Sequence, residues 1–67
     1  MISIEFNGQR KEVPPGILLQ DLLVQSGIKT QFCAVERNLD IVPKKDYATV
    51  AVQDGDRIEV VTLVGGG

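Results

Sequence analysis

The chain ends in Leu63-Val64-Gly65-Gly66-Gly67, and this run holds the clearest chemical possibility in its 67 residues. Three consecutive glycines have no side chain to bury and lose the most backbone entropy on ordering, so they add nothing to a fold. Hanging free, they reach roughly 10 Å at ~3.4 Å per residue. A narrow peptide led by the carboxylate of Gly67 suits insertion into another protein's tunnel, whose walls can approach a backbone that lacks Cβ atoms. An ionised carboxylate is a poor acyl donor. To accept sulfur or form an amide it must first be activated, most simply as an acyl-adenylate made with ATP. The sequence has no phosphate loop and no arginine–lysine clamp for that work. Activation therefore calls for a separate enzyme, and the chain reads as a carried substrate: Gly67 is the modified group, Gly65 and Gly66 the inserted stem. A frayed end is the competing reading of the same glycines.

In the segment before the tail, Ile58 and Val60 share one side, and Glu59, Val61 and Leu63 the other. The second side turns apolar towards the tail, as a docking surface beside a flexible peptide would. Val61, Leu63 and Val64 are the candidate partner contacts. Cover by a loop is the alternative for Val61 and Leu63. Left exposed, they permit weak self-association at high concentration, although a monomer is expected of the free chain.

The remaining reactive side chains read as structural. Cys33 lies in an apolar strand segment, the setting of a small buried hydrophobe, and nothing nearby promises a reactive thiolate. One cysteine forms no intramolecular disulfide, and without histidine there is no zinc set; neither a metal nor a bound cofactor is expected. The acidic pairs Asp54/Asp56 and Asp21/Glu36 raise metal or acid–base chemistry, but Asp54-Gly55-Asp56 is better read as a turn whose carboxylates bond local amides. Lys44-Lys45 reads as a solvated loop.

Composition narrows the function classes. Net charge is −2 with a pI near 4.8, and the only aromatics are Phe6, Phe32 and Tyr47. Scattered cations without stacking platforms argue against nucleic acid. No stretch approaches the ~20 apolar residues that span a bilayer, so no membrane association is expected. Met1-Ile2-Ser3-Ile4-Glu5 lacks the basic and apolar regions of a signal peptide, leaving the cytoplasm as default compartment. A chain this short needs nearly every periodic apolar position for its core, which argues against a self-contained enzyme.

The elements that must carry the tail follow from periodicity. Ile2, Ile4 and Phe6 alternate with Ser3 and Glu5 as a half-buried strand, Asn7-Gly8 is a hairpin turn, and a second strand runs from Arg10 to Val13. After Pro14-Pro15-Gly16, the spacing of Leu19, Leu22, Leu23 and Ser26 predicts an amphipathic helix over Ile17 to Ser26, capped by Gly27. Phe32 to Arg37 reads as a strand with Cys33 and Val35 in phase. Asn38-Leu39-Asp40 is a turn, and Ile41-Val42 a short edge strand stopped by Pro43. Lys44 to Thr49 is one helical or 3₁₀ turn with Tyr47 and Val50 inward, and Arg57 to Val64 is the last strand. The order β-β-α-β-β-β gives an α+β pair of layers, a mixed sheet of four to five strands with one main helix across one face. The helix can serve as a crossover between parallel strands. This description matches the β-grasp, or ubiquitin-like, fold, although small ferredoxin-like pieces share some of it: a domain over residues 1–64 and a flexible glycine tail over 65–67 are expected.

Over its whole length the chain resembles the ThiS family, the ubiquitin-like sulfur carrier proteins of bacterial thiamin biosynthesis. The resemblance rests on Met1-Ile2 opening into strand one, Asn7-Gly8, Asp21-Leu22-Leu23, Ala34-Val35-Glu36-Arg37-Asn38 and Ile41-Val42-Pro43-Lys44. It continues through Asp54-Gly55-Asp56-Arg57-Ile58-Glu59-Val60-Val61 to the ending Val64-Gly65-Gly66-Gly67. A Gly-Gly end alone is shared with ubiquitin-like modifiers and molybdopterin-synthase small subunits; the Asp-Gly-Asp segment with the glycine end is the specific part. Tyr47 stands where many members carry tryptophan, and Leu39 where a small or polar residue is usual. The resemblance implies that a ThiF-type adenylyltransferase activates Gly67 with ATP and that sulfur from a donor protein's persulfide then gives a thiocarboxylate. It further implies that the tail enters a ThiG-type thiazole synthase to deliver that sulfur. Two alternatives stay open: a carrier for another acceptor (molybdopterin or a cysteine-forming pathway), and a ubiquitin-like binding module whose tail is never activated.

Overall fold

Ile2, Ile4 and Phe6 alternate with polar neighbours to form strand β1 (Ile2–Phe6) in a computed structural model that describes residues 1–62. The chain reverses through Asn7 and Gly8, both at positive φ (49° and 83°), as a tight two-residue hairpin turn requires. Strand β2 (Gln9–Val13) pairs antiparallel with β1. It begins one residue before the expected Arg10, because Gln9 stands opposite Phe6 and closes the turn.

Helix α1 (Leu19–Gln25) starts two residues later than apolar spacing predicts. Leu18 is extended (φ −77°, ψ 147°) and bridges Ala51. On either side, the Leu19 amide donates to the Val50 carbonyl and the Val52 amide to the Ile17 carbonyl. Pairing with a distant segment thus prevails over helical propagation at Ile17 and Leu18. Seven residues are too few for a helix to persist alone in water, and tertiary burial of Leu19, Leu22 and Leu23 holds it. Its end is closed as expected: Gly27 lies at φ 77°, and the Gly27 and Ile28 amides return to the Val24 and Leu23 carbonyls in a Schellman motif.

A 3₁₀ turn over Thr30–Phe32 takes Phe32 out of the strand expected to include it, leaving the ring half exposed. Strand β3 (Cys33–Arg37) follows with Cys33 and Val35 buried. Asn38 and Leu39 turn the chain, both at positive φ, into the edge strand β4 (Asp40–Val42). A second 3₁₀ turn (Lys44–Asp46) delivers Tyr47 into the core, with Val50 packed against it. Strand β5 spans Arg57–Thr62; the expected continuation to Val64 lies outside the described residues.

The sheet order is β2-β1-β5-β3-β4, with β1 and β5 parallel and every other neighbouring pair antiparallel. β2 and β3 therefore run the same way, and α1 is a crossover between parallel strands separated by the central β1/β5 pair. One core joins helix and sheet: Leu19, Leu22 and Leu23 meet Ile4, Val13, Val35 and Ile58. The result is the mixed five-stranded sheet with one helix expected of a β-grasp domain.

Candidate functional site

β5 is the last described strand before the Leu63-Val64-Gly65-Gly66-Gly67 ending. Val61 is 62% exposed, and no loop covers it among the described residues. Register puts exposed Ala34 directly opposite Val61, Glu36 opposite Glu59, and Ile41 opposite Glu36 on the other side. Val61, Ala34 and Ile41 thus make a small apolar strip on the sheet face away from the helix, with Glu36 set into it. Arg57 Nε contacts both Glu5 (3.3 Å) and Glu59 (2.9 Å) next to the strip. These exposed pairs add little stability, but they occupy Glu59 and leave Glu36 without an ion pair among the described residues. Of the candidate site residues, only Val61 can be placed; Leu63, Val64, Gly65, Gly66 and Gly67 lie outside the described residues.

The base of β5 is held by a buried carboxylate. Asp56 is 6% exposed. Its Oδ2 accepts from Arg37 Nε (2.8 Å) and the Gln53 amide (2.9 Å), and its Oδ1 from Asn38 Nδ2 (3.1 Å). Burial pushes this carboxyl up, but the Gln53 amide and the Arg37 and Asn38 side chains together hold it below its ordinary value. Asn38 Oδ1 in turn accepts the Arg57 amide at 2.9 Å, tying the β3–β4 turn to the first residue of β5. Asp54 departs from the local turn expected of it: its Oδ1 accepts the Ser3 amide (2.9 Å), fifty-one residues away. The turn signal located both aspartates but could not name Arg37, Asn38 or Ser3, since nothing in the local sequence links them. At the other end of β5, Asn7 Oδ1 accepts the Val60 amide at 2.7 Å.

Cys33 is buried, as expected, its thiol directed at the Thr30 carbonyl (3.5 Å). Burial pushes the phenol of neighbouring Tyr47 above 10.0, and Cys33 adds to that shift. Lys44 is less free than a solvated loop residue, since its Nζ donates to the Gln31 carbonyl at 2.6 Å and ties the two 3₁₀ turns together. Among the described residues no group of three Cys, Asp or Glu could hold a metal, and no helix is long and apolar enough to cross a membrane.

Against known proteins, the ThiS family model matches residues 4–67. A thiazole synthase of Paramagnetospirillum magneticum is 42% identical over 66 residues, which cover 98% of this chain and 20% of that protein. The chain spans about a fifth of the length of the thiazole synthases it matches. The sulfur carrier protein ThiS of Escherichia coli is 33% identical over 66 residues, covering 98% of this chain and all of that one. The crystal structure of a thiamine biosynthesis protein (ThiS) from Geobacter metallireducens superposes with a TM-score of 0.85 at 23% identity, over 98% of this chain and 100% of that one. That likeness shows the fold.

Proposed function

The chain belongs to the ThiS family, and we propose from that premise that it is a sulfur carrier of thiamine biosynthesis whose Gly67 carboxylate becomes a thiocarboxylate. The observation that carries this reading is the extent of the family match, which runs through the glycine end to residue 67. In the proposed reaction a Gly67 oxygen attacks the α-phosphorus of ATP and expels pyrophosphate. The terminal sulfur of a donor protein's persulfide then displaces AMP at the acyl carbon, and a thiol reduces the resulting acyl disulfide to the thiocarboxylate. The displaced oxygen leaves on AMP.

This division of labour assigns the chain no catalytic residue; it is a cosubstrate of a separate ThiF-type adenylyltransferase, which uses the ATP. Residues 1–64 form the recognition body and 65–67 the stem, with Gly65 and Gly66 narrow enough for a tunnel. Val61, Leu63 and Val64 contact the partner. Exposed Val61, at the sheet end nearest the tail, supports that assignment. The acceptor is a thiazole synthase, a choice supported by the thiazole synthases that contain a matching segment. ATP and reduced sulfur are both cytoplasmic supplies, so the carrier acts there.

Intact mass tests the proposal, read before and after incubation with ATP, a ThiF-type enzyme and a sulfur source. The expected gain equals sulfur minus oxygen and vanishes when Gly67 is deleted. An unchanged mass beside a demonstrably active enzyme would overturn the carrier reading in favour of a binding module. Sulfur passed to a molybdopterin-forming acceptor but not to thiazole synthase would overturn the choice of acceptor alone.

A further inference from the structure

One edge of β5 is bare where the strand approaches the tail. In an antiparallel ladder, successive residues turn their backbone groups alternately towards and away from the partner strand. The Arg57 carbonyl accepts the Asn38 amide and so faces β3, whereas the Ile58 carbonyl accepts the Asn7 amide and faces β1. By the same alternation Glu59 and Val61 face β3, and Val60 and Thr62 face the β1 side. Yet β1 ends early. Its register with β5 covers only Glu5 opposite Arg57 and Phe6 opposite Ile58, and at Asn7 the chain turns away into the hairpin.

The Asn7 side chain supplies one substitute rung, its Oδ1 accepting the Val60 amide at 2.7 Å. Beyond that rung the Val60 carbonyl and the Thr62 amide have no partner among the described residues. Val61 and Thr62 are both exposed, so nothing described shields this edge from an incoming strand.

Gly67 is only the fifth residue beyond Thr62, a span of at most ~17 Å even when fully extended. An enzyme that acts on the Gly67 carboxylate must therefore bring its own chain within that distance of Thr62. We infer that the activating enzyme lays an extended segment along the β5 edge and pairs its backbone with the Val60 carbonyl and the Thr62 amide. This strand addition gives sequence-independent hydrogen bonds that aim the tail. The inference rests on the carrier reading above. A second copy of this chain is a poorer occupant, because two open edges of about three residues each fall short of a usual strand.

Amide hydrogen exchange of the full chain tests this, alone and with a ThiF-type adenylyltransferase but no ATP. The Thr62 amide should exchange fast in the free protein and be protected in the complex, while the Val61 amide, bonded to β3, is protected in both. Thr62→Pro removes the edge donor without removing a β3 hydrogen bond. It should weaken enzyme binding about tenfold, as loss of one well-made hydrogen bond does, whereas Thr62→Ala binds like the parent. Should Thr62→Pro fail to fold, exchange in the unmodified chain decides alone.

A complex that forms without protecting Thr62 overturns the strand addition, and a normal mass gain in the same preparation leaves the carrier reading standing. An adenylyltransferase that neither binds nor changes the mass overturns both. Thr62 protection that grows with the chain's own concentration, without enzyme, assigns the edge to a second copy and overturns the inference.

Discussion

Leu39 occupies a backbone conformation that its side chain does not favour. It lies at φ 74° in the β3–β4 turn and is 69% exposed, so little packing offsets the strain. Left-handed backbone costs an L-residue roughly 1–2 kcal/mol, part of which glycine returns as unfolded-state entropy. Leu39→Gly should therefore raise stability by about 0.5–1 kcal/mol, read as a higher urea midpoint at unchanged slope. Asp56 is the opposite case, a residue whose surroundings all require it. Asp56→Asn puts an amide N–H₂ where donors converge and should cost about 2–3 kcal/mol.

The same carboxyl sets an acid limit. Because its folded pKa lies below its ordinary 3.8, its contribution is complete above that value and is lost as pH falls through the folded pKa. Unfolding free energy of the parent should drop from 3.8 downward, and Asp56→Asn should flatten that part of the profile. An unchanged acid limb in the variant would show that other carboxylates set it. The turn around Asp56 was legible in Asp-Gly-Asp, but its partners were not, since Arg37 and Asn38 come from the end of neighbouring β3 and the turn after it, 19 and 18 residues away along the chain.

At the scale of elements, α1 shows how far a pattern reaches. Its buried positions and its glycine cap were readable, because the 3.6-residue spacing and Gly27 are local signals. Its start was not: Ile17 and Leu18 have helical spacing but pair with Val52 and Ala51, contacts made only once the chain has folded. Phe32 left its expected strand when the 3₁₀ turn over Thr30–Phe32 used it. With only seven residues in the helix, the cap carries unusual weight. A Cβ on Gly27 would meet nothing within 4 Å, so the effect of Gly27→Ala is purely conformational. It should cost about 1 kcal/mol and lower the melting temperature by roughly 4–8 °C, measured by circular dichroism.

For the whole molecule, the core and the proposed contact strip are separated in space: the core lies under the helix, while Val61, Ala34 and Ile41 lie on the opposite face. Val61→Asp should therefore change folding stability by no more than about 0.5 kcal/mol. Thiocarboxylate formation with a ThiF-type enzyme should nevertheless slow by about tenfold or more if the strip is a contact. Loss of folding, or an unaltered rate, would remove Val61 from the interface. The sequence by itself determined the class of fold, the two tight turns, the helix face and the glycine end, all of which are written in neighbouring residues or short periods. Tertiary structure alone decided that α1 begins at Leu19, that Asp56 is clasped by Arg37 and Asn38, and that β1 pairs only with Arg57 and Ile58 of β5. Those features depend on which distant segments meet, and distance along the chain erases the local signal that would announce them.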